Sequence, residues 1–228
     1  MDQLEIVHAD EHLVAIAKPS GMLVHRGWAR DDVVAVDLLH AQLGRQVWPL
    51  HRLDRGTSGV VVFALDVEAA REFSAALERG EIEKRYVALT RGHAPDEILI
   101  DYALRRVDSD SPDRQPAQTL IRRLGHVALH PGHRPEGDRY SLVEAVPYTG
   151  RTHQIRRHLK HIAHPIIGDV RYGKGAHNRM FRERFGLHRL ALHAAELRFG
   201  EIAIRAPIPD DLAEPLDRMG LLDLWSRR

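Results

Sequence analysis

The sequence predicts a mixed α/β domain built on a long, mostly antiparallel β-sheet. Short apolar runs of strand type recur along the chain, and segments with helical apolar spacing lie between some of them. Several predicted strands follow one another closely, which favours antiparallel pairing over a doubly wound parallel sheet. With 228 residues, 43% of them hydrophobic, the chain has enough apolar material for one large domain.

The first part of the chain predicts three strands and two helices. Strand-like apolar runs occupy residues 13–17, 60–64 and 83–90. Helical apolar spacing occupies residues 33–43 and 68–78. A Pro-Gly turn at residues 18–21 ends the first strand. Asp66 is the predicted N-cap of the second helix, and Gly44 and Gly80 are the predicted stops of the two helices.

The rest of the chain predicts more strands and two further helices. Strand-like runs occupy residues 119–124, 141–146, 195–199 and 202–206, and composition predicts loops at residues 108–113 and 131–137. Thr152 is the predicted cap of a helix that runs through Ile162 and ends before Pro165. A short acidic helix follows Pro209. No linker separates domains, so we expect residues 1–228 to form a single domain.

Composition excludes several functional classes. The chain has no cysteine, which excludes disulfides, thiol nucleophiles and Cys-ligated zinc. The first residues do not have the pattern of a secretory signal, and no apolar run approaches the roughly 20 residues that span a bilayer. We therefore expect a cytoplasmic protein with no membrane partner.

Charge is distributed unevenly although the net charge is only +1. Residues 151–189 hold ten Lys or Arg, two Asp or Glu, and six of the sixteen histidines. Such a one-signed segment favours a surface that binds phosphates; a solvated charged face is the alternative. The candidate binding residues of this segment are Arg151, His153, Arg157, Lys160, Arg171, Lys174, Arg179, Arg182 and Arg184.

Residues 51–59 are the most informative segment of the chain. They read His-Arg-Leu-Asp-Arg-Gly-Thr-Ser-Gly and run directly into the predicted strand 60–64. Asp54 lies between Arg52 and Arg55, and neighbouring positive charge favours an ionised carboxylate. The segment predicts a chemically active carboxylate at a fixed turn, with a structural Asp cap as the alternative.

The segment 51–59 resembles the signature of the RluA-type pseudouridine synthases, in which this Asp is catalytic. Other motifs of that family follow the expected order: residues 18–21 are similar to its opening K-P-x-G, and residues 84–86 to its K-x-Y strand. Residues 149–156 and 164–169 resemble the next motif, and residues 189–194 the final apolar one. The resemblance covers most of the chain.

The resemblance implies the pseudouridine-synthase catalytic fold and a set of roles. Asp54 would be the catalytic residue, Tyr86 would contact the uracil ring, and Arg156 would pair with Asp54. A core aromatic on a strand is the alternative for Tyr86. Arg151 is the alternative partner of Asp54. Because residues five apart on a helix are rotated by about 140°, Arg151 and Arg156 cannot share one face if both are helical, and the family motif favours Arg156. Leu192 would pack beneath the active site, with ordinary core packing as the alternative reading of that residue.

Arg52 and Arg55 are further candidates for RNA contact. A guanidinium plane suits the space that an extruded base leaves, because enzymes that modify a base take it out of the stack. A phosphate contact is the alternative role for Arg52.

The chemistry that the resemblance implies requires no cofactor. Uridine becomes pseudouridine when an N-glycosidic bond breaks and a C-glycosidic bond forms between the same base and sugar. The reaction needs a nucleophile or cation stabiliser and a base for the C5 proton. Whether Asp54 attacks C1′, eliminates to a glycal or adds to the base stays open at the level of sequence.

A metal site is a weaker interpretation of the basic segment. His158, His161 and His164 recur every three residues, but Pro165 interrupts the helical face and no carboxylate stands at a compatible spacing. We therefore expect no metal, and expect these histidines to contact phosphates or to cap the helix.

Within the family, the resemblance is strongest to members that act on uridine-65 of tRNA, so tRNA is the expected partner. Ribosomal RNA is an alternative target. A catalytically silent RNA-binding protein and a nucleosidase are alternative functions, although a nucleosidase calls for a second carboxylate that no motif supplies. We also expect a monomer without a separate S4-type RNA-binding domain.

Overall fold

The protein is described from a computed structural model that covers residues 3–26, 33–107, 112–130 and 137–226. The predicted loops at 108–113 and 131–137 fall largely outside these residues. The described part of the chain contains the strands β1 (Ile6–Ala9), β2 (Leu13–Lys18), β3 (Trp48–Pro49), β4 (Ser58–Ala64), β5 (Ile82–Arg91), β6 (Glu97–Asp101), β7 (Leu104–Arg105), β8 (Arg114–Gln115), β9 (Gln118–Leu129), β10 (Asp138–Pro147), β11 (Leu192–Phe199) and β12 (Ile202–Arg205). The helices in the same residues are α1 (Ala35–Leu43), α2 (Val67–Glu78), α3 (Gln154–His161), α4 (Gly175–Phe185), α5 (Asp210–Asp217) and α6 (Asp223–Ser226).

The predicted fold class is confirmed: helices flank a large, mixed, mostly antiparallel sheet. The antiparallel pairs include β1–β2, β2–β4, β5–β10, β9–β10 and β6–β9, whereas β4 and β11 pair in parallel. The chain divides into two compact units, residues 1–84 with 193–209, and residues 85–192 with 210–228.

In the first unit, helix α2 packs on the strands through one apolar face. Phe73 is fully buried in a cluster with Val60, Val62 and Leu197. The predicted N-cap is confirmed, because the Asp66 side chain accepts the N–H of Ala69 at 2.8 Å. Strand β4, which follows the 51–59 segment, is buried along its whole length and gives that segment a rigid base.

In the second unit, helix α3 contacts β9 and β10, and its N-terminus differs from the prediction. Thr152 is not the cap: His153 holds the N-cap position in the left-handed region at φ 55°, without a side-chain cap bond. Gln154, the first residue of the helix, instead bonds back to the preceding segment, since its Oε1 accepts the N–H of Arg151 at 3.0 Å. This bond orders the chain that leads into α3 and caps no N–H of the helix itself.

Several elements are longer than predicted or were not predicted. Strands β9 and β10 extend the predicted runs 119–124 and 141–146 at both ends. The apolar pattern does not predict helices α4 and α6, the hairpin of β7 with β8, or strands β1, β3 and β6. Among the described residues, no helix has the length and apolar character that a membrane span requires.

Candidate active site

Asp54 lies in the first unit, on the turn that leads into β4. The N–H of Thr57 donates to the Asp54 carbonyl at 3.0 Å, which closes a tight turn through Arg55 and Gly56. The Asp54 side chain is half-buried, and both flanking arginines, Arg52 and Arg55, are exposed. The turn therefore presents a partly accessible carboxylate beside two solvent-facing cations.

The segment 18–21 is hydrogen-bonded to this turn. The buried ammonium of Lys18 donates to the carbonyls of Pro19 and Met22 at 2.8 Å and to that of Arg55 at 3.4 Å. The N–H of Gly21 donates to the same Arg55 carbonyl at 2.8 Å. Two motifs that are far apart in sequence thus form one hydrogen-bonded unit that fixes the backbone around Asp54.

His51 attaches the start of the same segment to β4. Its Nε2 accepts the N–H of Val62 at 3.2 Å, and the N–H of Leu50 donates to the Val62 carbonyl at 3.0 Å. Burial, together with the positive charge of Lys84, lowers the pKa of His51 to about 3, so the ring is neutral at pH 7. Because Nε2 is the acceptor, the ring proton resides on Nδ1.

The end of the segment requires glycine at residue 59. Gly59 has φ +119°, and a Cβ there would lie 2.1 Å from the carbonyl oxygen of Ala194 in β11. Ser58 adds a side-chain link, since its hydroxyl donates to Nδ1 of His193 at 2.8 Å while Nε2 of that ring donates to the Ala206 carbonyl. The Ser-Gly pair therefore forms the close parallel contact between β4 and β11.

Arg156 lies in the second unit, in a buried ion pair. Its Nε and Nη2 donate to the two carboxylate oxygens of Asp169 at 2.8 and 3.0 Å. Burial alone would raise the pKa of Asp169, but the bonds from Arg156 and from the N–H groups of Arg171 and Tyr172 hold that pKa below its ordinary value. The bidentate pair fixes the plane of the guanidinium.

Several of the predicted site residues lie around the ring of Tyr172. The guanidinium carbons of Arg156 and Arg171 lie 5.1 and 5.7 Å from the ring centroid, and the Lys160 ammonium lies 5.9 Å away. The Tyr172 hydroxyl is 3.0 Å from Nδ1 of His153. A single aromatic ring thus orders a cluster of cationic side chains.

The other predicted catalytic and packing residues are buried on strands. Tyr86 lies in β5 opposite Ala145 of β10, and Leu192 is the first residue of β11. Arg151 precedes helix α3, so the predicted helical rotation between it and Arg156 does not apply. The approach of Asp54 to Tyr86 and Arg156 stays a prediction.

Most of the predicted RNA-binding residues in the basic segment are exposed, and a few are held by backbone groups. Those with exposed side chains are Lys160, Arg171, Lys174, Arg179, Arg182 and Arg184. Arg151 donates from Nε to the Pro116 carbonyl at 3.1 Å, and Arg157 donates from Nη1 to the Arg105 carbonyl at 2.8 Å. Binding of RNA by these residues stays a prediction.

The three regularly spaced histidines have separate structural roles. His158 is buried, with Nδ1 accepting from the Thr119 hydroxyl at 2.9 Å and Nε2 donating to the Tyr102 carbonyl at 3.0 Å, so the expected phosphate or capping role is wrong for this residue. His161 stacks on the Tyr102 ring, and His164 bonds to the Arg91 carbonyl. The described residues contain no group of three or more His, Asp or Glu that would suit a metal ion.

Sequence reasoning missed Asp169 and Tyr172. Asp169 ends the 164–169 run that resembles the family motif, so a charged residue after an apolar strand-like stretch was the available signal. Tyr172 lies among basic residues, and aromatic rings in such segments commonly support cations.

Comparison with known proteins identifies the family. Residues 12–161 match the RNA pseudouridylate synthase family. The chain is 43% identical to a protein named tRNA pseudouridine synthase C from Vibrio parahaemolyticus, with 91% of this chain and 92% of that one covered. It is 42% identical to the protein of the same name from Vibrio cholerae, with 97% and 93% covered.

A solved structure has the same fold. Human RNA Pseudouridylate Synthase Domain Containing 4 superposes with a TM-score of 0.75 and 26% identity, over 95% of this chain and 93% of the human one. With well over half of the chain matched to one family and near-full-length relatives above 40% identity, this protein belongs to the RNA pseudouridylate synthase family.

Proposed function

We propose that this protein isomerises uridine to pseudouridine in tRNA, with uridine-65 as its target. The observation that carries the proposal is the near-full-length identity of more than 40% to proteins named tRNA pseudouridine synthase C. The motifs of residues 51–59 and 149–156 lie within the matched region. A tRNA substrate fits a cytoplasmic site of action.

Asp54 is the proposed catalytic residue, acting as nucleophile or as stabiliser of a cationic sugar. Its turn is anchored by Lys18 and Gly21, and the carboxylate is half-buried. Such anchoring supports the role, because a reacting group must be held close to its attack geometry. Attack on C1′, elimination to a glycal and addition to the base all begin from a carboxylate held in this way.

Tyr86 and Arg156 are the proposed partners of Asp54. Tyr86 is buried on a strand, where its ring can take a fixed place beneath uracil and its hydroxyl can reach the C5 proton. Arg156 has two of its guanidinium nitrogens fixed by Asp169, which supports a role in orienting a second carboxylate. Leu192, buried at the start of β11, is the proposed packing residue beneath the site.

The experiment is to map pseudouridine in RNA from cells that lack the gene. We expect pseudouridine to disappear from position 65 of tRNA and to return when the wild-type gene, but not an Asp54→Asn gene, is supplied. Loss from ribosomal RNA with tRNA unchanged would identify ribosomal RNA as the target. An unchanged map in both RNAs would contradict the proposed activity.

A further inference from the structure

An open pocket of about 600 Å³ lies in the second unit, between the hairpin of β7 with β8 and the segment that precedes α3. Arg105 and Arg106 from the hairpin and Arg151 from the preceding segment line it. Gln115 and Thr152 add an amide and a hydroxyl to the same wall. The described lining therefore combines three guanidinium groups with neutral polar groups, and none of its residues is acidic.

Hydrogen bonds hold the hairpin and the α3 segment together. Arg157 donates to the carbonyl of Arg105 at 2.8 Å, and Nε of Arg151 donates to the carbonyl of Pro116 at 3.1 Å. His158 adds a bond from Nε2 to the Tyr102 carbonyl at 3.0 Å. The backbone of Arg105 and the side chain of Arg151 are thus held in place, whereas the side chains of Arg105 and Arg106 are exposed.

Two hydrogen bonds that Arg151 donates, one from its backbone and one from its side chain, orient its guanidinium. Its N–H donates to Oε1 of Gln154 at 3.0 Å, and its Nε bond to Pro116 takes one of the five donors of a guanidinium. Bringing three like charges together costs energy unless an anion joins them, and arginine forks match the oxygens of a phosphate in bidentate fashion. The composition of the pocket is thus that of an anion site.

We propose that this pocket binds a phosphate of the RNA backbone, so that the β7–β8 hairpin is part of the substrate-binding surface. The proposal rests on the proposed function and deepens it, because it adds two residues from outside the motifs of the family, Arg105 and Arg106, to the contacts with RNA. Arg105 and Arg106 lie outside the basic segment 151–189, and only the fold brings them beside Arg151.

The test compares two double variants that lose equal charge. Arg105→Ala with Arg106→Ala removes the two hairpin cations that line the pocket but keeps the backbone carbonyl that accepts from Arg157. Arg71→Ala with Arg79→Ala is the matched control, because both arginines are exposed and belong to the first unit, in and just after α2. Binding of a tRNA transcript is measured by filter retention across a series of KCl concentrations.

We expect the hairpin variant to bind tRNA roughly fivefold more weakly than wild type. The slope of log K, the binding constant, against log salt should flatten by about 0.7–0.9, the change for one lost phosphate contact. The control should keep the wild-type affinity and slope. Arg105→Lys with Arg106→Lys keeps both charges and should keep the slope. The phosphate-binding role of the pocket is contradicted if the hairpin Ala variant binds tRNA as wild type does. It is also contradicted if the slope of the Lys variant flattens as far as that of the Ala variant.

Pseudouridine formation by the wild-type enzyme on the same transcript distinguishes failure of the pocket proposal from failure of the proposed function. Wild-type turnover combined with unchanged binding by the hairpin variant rejects the pocket alone. Absence of wild-type turnover on tRNA rejects the proposed function itself.

Discussion

At the scale of single residues, the ion pair between Arg156 and Asp169 places two opposite charges in the interior of the second unit. Both side chains are buried, with exposed fractions of 10% and 0%, so each charge depends on the other for solvation. Removing one partner of a buried pair typically costs about 3–5 kcal/mol, because the remaining charge is left uncompensated.

Asp169→Asn should therefore lower the free energy of unfolding by roughly 3–5 kcal/mol at pH 7. Since the pKa of Asp169 is lowered in the folded protein, the stabilisation is present above the pKa of an unfolded Asp and is lost as pH falls through the lower, folded pKa. Urea unfolding at pH 7 and at acidic pH checks both points, with Asp217→Asn, an exposed position of the same unit, as control. Equal stabilities of the two variants at pH 7 would show that the pair contributes little.

Tyr86→Phe separates stacking from proton transfer. Phenylalanine keeps the ring but loses the hydroxyl, so turnover should fall by roughly 10²-fold or more, the usual scale for a lost general base, while tRNA affinity holds. Single-turnover kinetics beside a binding isotherm measure the two effects, and Tyr148→Phe, an exposed tyrosine, is the control. A near-normal rate for Tyr86→Phe would end the proton-transfer role.

At the scale of elements, the parallel contact of β4 with β11 explains the last residue of the 51–59 segment. The register pairs Ser58 with His193 and Gly59 with Ala194, and the backbones approach too closely for a Cβ. The glycine is thus part of the packing that fixes the strand directly after Asp54.

Gly59→Ala should destabilise the protein by at least about 2–3 kcal/mol, because overpacking against backbone adds to the strain of a positive φ. Thermal and urea unfolding measure the loss. Gly175→Ala is the matched control, since a Cβ there meets no atom within 4 Å, and its unfolding should match wild type or improve on it. A Gly59→Ala protein as stable as the control would contradict the close approach.

Elements with strong apolar patterns were predictable from sequence, and those that depend on tertiary contacts were not. The buried strand β4 and the capped helix α2 follow from local pattern alone. For the residues of helix α4 the sequence predictions concern only the basic charge, although its buried residues His177, Phe181 and Phe185 are spaced four apart. The two-residue strands β7 and β8 have no local periodicity and depend on their bonds to the α3 segment.

The candidate site divides in the same way. The motif of residues 51–59 predicted the position of Asp54 on a turn, but the bonds of Lys18 to that turn join residues 37 apart and leave no local pattern. The pairing of Asp169 with Arg156 could likewise not be predicted from a local pattern, because only the folded chain brings the two side chains into contact.

At the scale of the whole molecule, the basic segment 151–189 contains both buried and exposed cations, which a count from the sequence does not distinguish. Two of the ten cations in residues 151–189 are buried in ion pairs, Arg156 with Asp169 and Arg189 with Asp211. They add structural order to the second unit and little to its surface field. The exposed arginines and lysines of α3, α4 and the segment between them supply the field that would attract RNA phosphates.

The proposed formation of pseudouridine in tRNA through Asp54 can be measured as tritium release from tRNA that carries 5-tritiated uridine. Wild-type protein should release tritium in proportion to pseudouridine formed, as should the Asp217→Asn control. Asp54→Asn should release none while it still folds and binds tRNA, since the change removes the carboxylate without altering the turn. Release by Asp54→Asn within tenfold of the wild-type rate would contradict the proposal.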